Sequence, residues 1–479
     1  MTRRYVAAAL IMLLFISRTS LAAEPVLIAI GSINGLYEDF ATDTAGRLPN
    51  NVPGNRLGGI GSGLAHLGGD WFVAIPDRGP NAVPYNACMD DTVSYINRFH
   101  TMHLSLSPSD PGSALPFTLT PMLAATTLLS SRAPLVYGAG CGTQGSGVPA
   151  LNAIDHTHYF TGRSDNFDAS KLSTNPRDAR LDAEGIRVSN DRRSVYISDE
   201  YGPYVYEFDR FTGERVRVFA LPDKFAISHL SAASNDEITG NTSGRVTNKG
   251  MEGLAITPDG RTLVGAMQSP LIQDGGDVKG GITRIVTIDI RTGTTHEYAY
   301  QLDTGTKTTI SEILAINDHQ FLVDERDSKG RADAVGSKAA FKKLFIVDIE
   351  FAHEVSGLTG AAALAPYTLP KTLFLDIVNG LKIAPASLDP TQIPAKLEGI
   401  AFGEDIAYTD PATKQPVSKH TLFVSNDNDF LATFEGQDNP NQFFVFAFDE
   451  ADLPDFVPQR FHQDRDDDDH DDHDGHDGR

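Results

Sequence analysis

LDAEGIRVSNDRRSVYISDEYGPYVYEFD, residues Leu181–Asp209, contains two strand-like runs that carry acids where packed strands carry apolar side chains. Asp182 and Glu184 open the first run; Asp199 and Glu200 close the second. A third run, YVYEFD, follows directly. Alternating apolar residues bounded by Gly, Asn and Asp turns read as antiparallel strands.

The pattern recurs along the chain. AEGIRVS at Ala183 is echoed by MEGLAIT at Met251, LEGIAFG at Leu397 and, more loosely, SEILAIN at Ser311. Each is followed by a second run (SVYISDE, TLVGAMQ, QFLVDER, TLFVSND) and a third (YVYEFDRFTG, RIVTIDIRTG, KLFIVDIE, FFVFAFDE). A degenerate copy opens at Gly58 with GGIGSGLAHLGGDWFVAIPDRGPN. No long amphipathic helical pattern intervenes. An all-β repeat of three or four strands per unit is the signature of a propeller. Five units are clear and there is room for a sixth, so a six-bladed propeller over residues 24–460 is expected, with residues 120–180 and 351–395 as insertions or irregular blades. The lone strand EPVLIAIGSI (Glu24 to Ile33) is expected to complete the last blade beside FFVFAF, Phe443 to Phe448, which removes free sheet edges.

Residues 1–22 read as a secretory signal: Arg3 and Arg4, then VAAALIMLLFI, then SLA before AEP. An uncleaved membrane anchor is the alternative. The expected location is periplasmic or secreted, which suits a bridge between the two cysteines, Cys88 and Cys141. The segment 461–479 is low-complexity and is expected to be a disordered, solvated Asp/His tail. The formal net charge of -23 argues against nucleic acid and anionic membranes as partners, and suits a protein that binds cations. A monomer acting on a small molecule is the expectation.

If EGI begins the innermost strand of each blade, the repeat gathers its acids into a ring. Such a ring needs compensation, because confined carboxylates repel one another. A divalent cation supplies it, and oxygen-only ligands favour Ca²⁺, with Mg²⁺ second. The expected metal ligands are drawn from Glu184, Asp199, Glu200, Glu252, Glu312, Glu325, Glu398 and Asp427. Arginines are the other compensation: Arg78, Arg163 and Arg326 stand among the acids, and an arginine fork also binds phosphate. The expected catalytic set is Glu184, Asp199, Glu200, Arg78 and Arg326. Against this, an acid before glycine at a strand start can simply bond backbone amides of the next blade. No GxSxG elbow, HExxH, P-loop or GxGxxG before a helix is present.

The strings DAEGIRVS…VYISDEYGPYVYEFD and KLEGIAF…HTLFVSNDNDF resemble the exported family called esterase-like activity of phytase, over about residues 55–450. The resemblance implies a β-propeller rich in repeated acids and phosphomonoesterase or esterase chemistry. It places Glu184, Asp199, Glu200 and Glu398 at the family's acidic positions; the chain departs from the pattern at Met267 and Gln268. Metal-assisted hydrolysis of phosphate esters is therefore the expected function. A non-catalytic propeller with structural calcium and a carboxylic esterase or lactonase stay open beside it.

Overall fold

The alternating runs form strands, and the Gly, Asn and Asp clusters between them close hairpins. The computed structural model describes residues 24–83, 86–90, 92, 94–138, 145–383, 385–409 and 414–461. The signal segment 1–22 and the tail from 462 lie outside the described residues. Four four-stranded antiparallel arrays and one of five strands, in which Ile406–Thr409 also pairs with the start of Pro416–Asp427, dominate. Blade 1 runs Gly63–Gly68, Trp71–Ile75, Arg98–Pro108, Phe117–Leu128. Blade 2 runs Ala183–Val188, Ser194–Asp199, Tyr204–Asp209, Arg215–Ala220. Blade 3 runs Met251–Ile256, Thr262–Met267, Ile282–Asp289, Thr295–Gln301. Blade 4 runs Thr309–Ala315, Gln320–Arg326, Lys342–Asp348, Lys371–Asp376. Blade 5 runs Lys396–Phe402, Pro416–Asp427, Asn441–Phe448, and is completed by Val26–Ile33.

The first strands of successive blades lie against one another, and that of blade 5 returns to that of blade 1. The result is a closed propeller of five blades, not six. The apparent room for a sixth is taken up in two ways. Residues 129–182 cross from blade 1 to blade 2, and their described residues form only two-residue strands and the five-residue helix Leu151–Asp155. In blade 4 the fourth strand, Lys371–Asp376, arrives only after a long connection. The expected closure holds: Val26–Ile33 pairs antiparallel with Asn441–Phe448, Gly31 opposite Phe443.

The core is divided by the blades. One apolar cluster fills each interface, such as Val205, Phe219, Leu254 and Leu263 between blades 2 and 3, or Phe72, Met102, Phe423 and Phe443 between blades 1 and 5. Sheet faces that are apolar on both sides follow from this packing.

The glycine of each EG pair has a steric cause. A Cβ on Gly185 would stand 2.6 Å from Leu254 N, and one on Gly253 2.7 Å from Ile313 N, in the neighbouring first strand. Gly63 and Gly399 make the same close approach around the ring. In blades 2, 3 and 5 the pairing register slips at this pair, a β-bulge that re-aims the side chain before the glycine.

Cys88 is disulfide-bonded, as the even cysteine count suggested; Cys141 lies outside the described residues. No helix among the described residues is long and apolar enough to cross a membrane.

Candidate active site

A cavity of about 680 Å³ opens at one end of the central channel. Two repeated positions line it. The residue before the bulge glycine supplies Glu184, Glu252 and Glu398; the ends of the second strands of blades 1 to 4 supply Asp77, Glu200, Gln268 and Arg326. Arg78 and the lysines Lys249, Lys307, Lys329 and Lys396 complete the wall. The cavity therefore has an acidic interior studded with fixed cations.

The acids differ in what neutralises them. Arg78 Nη1 lies 2.7 Å from Asp182 Oδ2, both groups buried. Arg326 pairs with Glu398. Lys396 Nζ is 2.6 Å from Asp427 and 2.5 Å from Asp429, and this ammonium already compensates the cluster of Asp77, Asp427 and Asp429. Among the described residues, Glu184, Glu200 and Glu252 have no such ion-pair partner, and Oε1 of Glu200 and Oε2 of Glu252 are buried without a hydrogen-bond partner. Burial, and then Glu252, Asp182 and Glu200, pushes Glu184 well above the usual carboxylate range. Glu200 is raised by burial and then by Glu252 and Asp182. Burial, and then Glu398, lifts Glu252 to about 7. One oxygen each of Asp182, Glu184 and Glu200 lies within 4.8 Å of the others, a donor set of hard oxygens.

Not every expected residue enters the cavity. Asp199 stands next to Glu200, but strand side chains alternate, so it points the other way. Its carboxylate accepts the amides of Asp182 and Tyr201 at 3.0 and 2.9 Å and knits blade 2. Glu325 is consumed in the same manner by Tyr300 Oη, Thr308 Oγ1, the Asp303 amide and Lys371. Arg163 pairs with Asp165 in the crossing segment between blades 1 and 2. Asp427 faces Lys396.

Glu312 is displaced by a one-residue slip. Met251, Gly253 and Leu254 pair with Met267, Ala266 and Gly265; Ile310, Glu312 and Ile313 pair with Glu325, Asp324 and Val323. Glu312 thus holds the place of Gly253, and Ser311 that of Glu252. The Glu312 side chain meets Arg187 Nη2 at 3.1 Å. The Arg187 guanidinium also donates to Leu64 O, Ile186 O and Ile313 O, tying blades 1, 2 and 4 across the channel. In blade 1 the corresponding residue before glycine is Ser62. Three glutamates, Glu184, Glu252 and Glu398, therefore come from this position, and not the four expected with Glu312.

Sequence reading missed Lys249 and Lys396. Lys396 precedes Glu398 by two residues in KLEGI, a period-two spacing that puts both on one strand face. Lys249 lies in a loop, where periodicity offers no signal; its Nζ donates to Gln268 Oε1 at 2.9 Å.

A family model described as Phytase-like, esterase-like activity of phytase, matches residues 55–430. The chain belongs to this family. A relative of the phytase-like chain from Arthroderma benhamiae, described as a secreted protein, is 30% identical over 349 residues, covering 63% of this chain and 66% of its own length. The phytase-like chain thus spans just under two thirds of that relative. Among solved structures, a Bacteroides uniformis protein provisionally called a 6-phosphogluconolactonase is 13% identical with a TM-score of 0.30, covering 80% of this chain and 88% of that one. The WD40 domain of Toxoplasma gondii coronin is 9% identical with a TM-score of 0.26, covering 89% and 88%.

Proposed function

We propose that the protein is an exported hydrolase of phosphate esters that works with a divalent cation, calcium ahead of magnesium. The observation that carries this reading is the pair of buried, partnerless carboxylate oxygens on Glu200 and Glu252, in a cavity that also holds two arginines. A buried carboxylate oxygen left without a hydrogen bond is costly, and a cation is the compensation these oxygens fit. Membership of the phytase-like family and a relative described as secreted agree with it.

Glu184 and Glu200, with Asp182, are the residues that would hold the cation. When bound, the cation polarises a phosphoryl oxygen and acidifies water. Arg78 and Arg326 are held in place by Asp182 and Glu398, and orient the phosphate by charge-assisted hydrogen bonds. Arg326 Nε has no acceptor among the described residues. Glu252 changes protonation near neutral pH, the range a general base needs. It takes a proton from the attacking water as the water oxygen bonds to phosphorus and the ester phosphorus–oxygen bond breaks; the departing alkoxide takes up a proton from solvent water and Glu252 then returns its own to solvent, leaving inorganic phosphate and an alcohol. The Gln268 amide bonds to the Glu252 carboxylate and fixes its aim.

The test is hydrolysis of an aryl phosphate against an aryl acetate, each with calcium and with chelator. Phosphate release that disappears in chelator is the expected result. Cleavage of the acetate alone would make the protein a carboxylic esterase. No cleavage of either, with a chelator-sensitive melting curve, would make it a binding propeller with structural calcium.

A further inference from the structure

The described chain ends at Phe461, on the edge of an arginine-lined groove. Phe461 lies under the Arg192 guanidinium at 4.8 Å and against the His66 ring at 6.0 Å. The segment that leads there is fastened across the blades. Val457 N donates to Ile316 O, and Gln459 Nε2 donates to Val188 O, each at 2.8 Å. The groove itself, about 590 Å³, is formed between blades 1 and 2 by Trp71, Arg192, Arg193, Arg210 and Phe211, with Asp191 and Asp209 in its wall.

Those two aspartates are turned toward their own hairpins. Asp191 accepts from Ser189 Oγ and the Arg193 amide. Asp209 accepts from the amides of Phe211 and Thr212 and from Thr212 Oγ1. Neither Arg192 nor Arg193 has a carboxylate at ion-pair distance among the described residues. The groove also exposes aromatic surface: Trp71 is 43% and Phe211 68% accessible.

Arg192 is held there at a conformational cost. SNDRRSV in blade 2 and TPDGRTL in blade 3 form the same hairpin, closed by Ser189 to Ser194 and by Thr257 to Thr262. In blade 3 the left-handed position is Gly260, φ +73°; in blade 2 it is Arg192, φ +59°. A side chain in that region costs about 1 kcal/mol, and such an outlier points to a role for the side chain.

We propose that this groove is the docking surface for the chain's own terminal segment, residues 462–479, whose carboxylates lie on Arg192, Arg193 and Arg210 and whose backbone covers Trp71. The segment carries nine Asp and four His, and starts at the groove's edge. Eighteen extended residues span about 60 Å, more than the groove needs. Tethering gives an effective concentration near the millimolar range, so modest affinity suffices. The contacts are exposed ion pairs, so salt releases them. The segment has no apolar residue with which to pack, so charge is what an arginine groove offers it.

Trp71 is the single tryptophan of the chain, so its fluorescence reports the groove directly. Acrylamide quenching is measured on the full chain and on a chain ending at Phe461, at low and high salt. The expected result is stronger quenching in the shortened chain, reproduced in the full chain by high salt or by Arg192→Gly with Arg193→Ser. Arg192→Gly installs the residue blade 3 uses, so the hairpin folds. A synthetic peptide of residues 462–479 should restore protection to the shortened chain at low salt. Equal quenching of the two chains at low salt overturns the proposal. Protection that rises with protein concentration also overturns it, in favour of a tail that docks on a second copy.

Discussion

Arg187 Nη2 and the Glu312 side chain meet 3.1 Å apart across the central channel, each almost wholly buried. Burial keeps the arginine below its ordinary pKa although Glu312 raises it. The pair is the fixed cross-brace beneath the candidate site and lies outside the cavity. Glu312→Ala leaves a buried, uncompensated guanidinium, and should cost about 3–5 kcal/mol of stability. Arg187→Met together with Glu312→Ala should cost less than the sum of the two single changes, because each removes the other's stranded charge. Urea unfolding of the four proteins measures the coupling. Additive losses would show that the two groups do not depend on each other.

Glu200 and Asp199 are neighbours with opposite assignments. Glu200→Gln should abolish the stabilisation that calcium gives, about 2.7 kcal/mol at one hundred times its dissociation constant. Asp199→Asn should lower stability through the weakened amide bonds of Asp182 and Tyr201, yet keep the calcium response. Melting curves of both variants, with calcium and with chelator, separate the roles. A calcium response in Glu200→Gln equal to that of the parent protein would remove Glu200 from the cation site.

The pH dependence has a defined sign in chelator. Asp199, Glu252, Glu312 and Asp427 are all lifted to about 7, chiefly by burial. Their unfolded values are near 4. Between pH about 4 and 7 the folded protein therefore holds protons that the unfolded chain has released. The contribution of these four groups is fully present below that window and is lost as pH rises through it, and Glu184 and Glu200, raised further, extend the fall in the same direction. Urea midpoints from pH 4.5 to 8 check this. Calcium should flatten the slope and release protons on binding, which titration calorimetry in two buffers detects. A midpoint that climbs with pH in chelator would contradict the burial of these acids.

Gly253→Ala places a methyl 2.7 Å from Ile313 N and 2.8 Å from the Glu312 backbone. Both contacts are main chain, so relief requires the first strands of blades 3 and 4 to separate. A loss of about 1–3 kcal/mol or more is expected in denaturant unfolding. Gly293→Ala meets nothing within 4 Å, though at φ +75°, and should cost only the left-handed backbone penalty. Similar losses for the two would mean that close approach of the first strands is not what the EG glycine serves.

The amino-acid sequence by itself determined the strands, the repeat, the closing partnership of Val26–Ile33 with Asn441–Phe448 and the gathering of glutamates before the bulge glycines. These follow from local rules: period-two alternation, turn residues and a repeated sterically required glycine. The sixth blade was expected because residues 129–182 and the connection that precedes Lys371 are long enough for one, yet the described residues there build none. Only the tertiary structure decided which acids face the cavity. Adjacent strand residues point to opposite sides, so Glu200 enters and Asp199 does not. A one-residue slip in pairing turned Glu312 toward Arg187. Compensation was decided there too, since Lys396 reaches Asp427 and Asp429 while Glu200 and Glu252 keep partnerless oxygens. The physical reason is that a carboxylate's role depends on burial and on charges from other blades, which are distant in sequence and meet only when the ring closes.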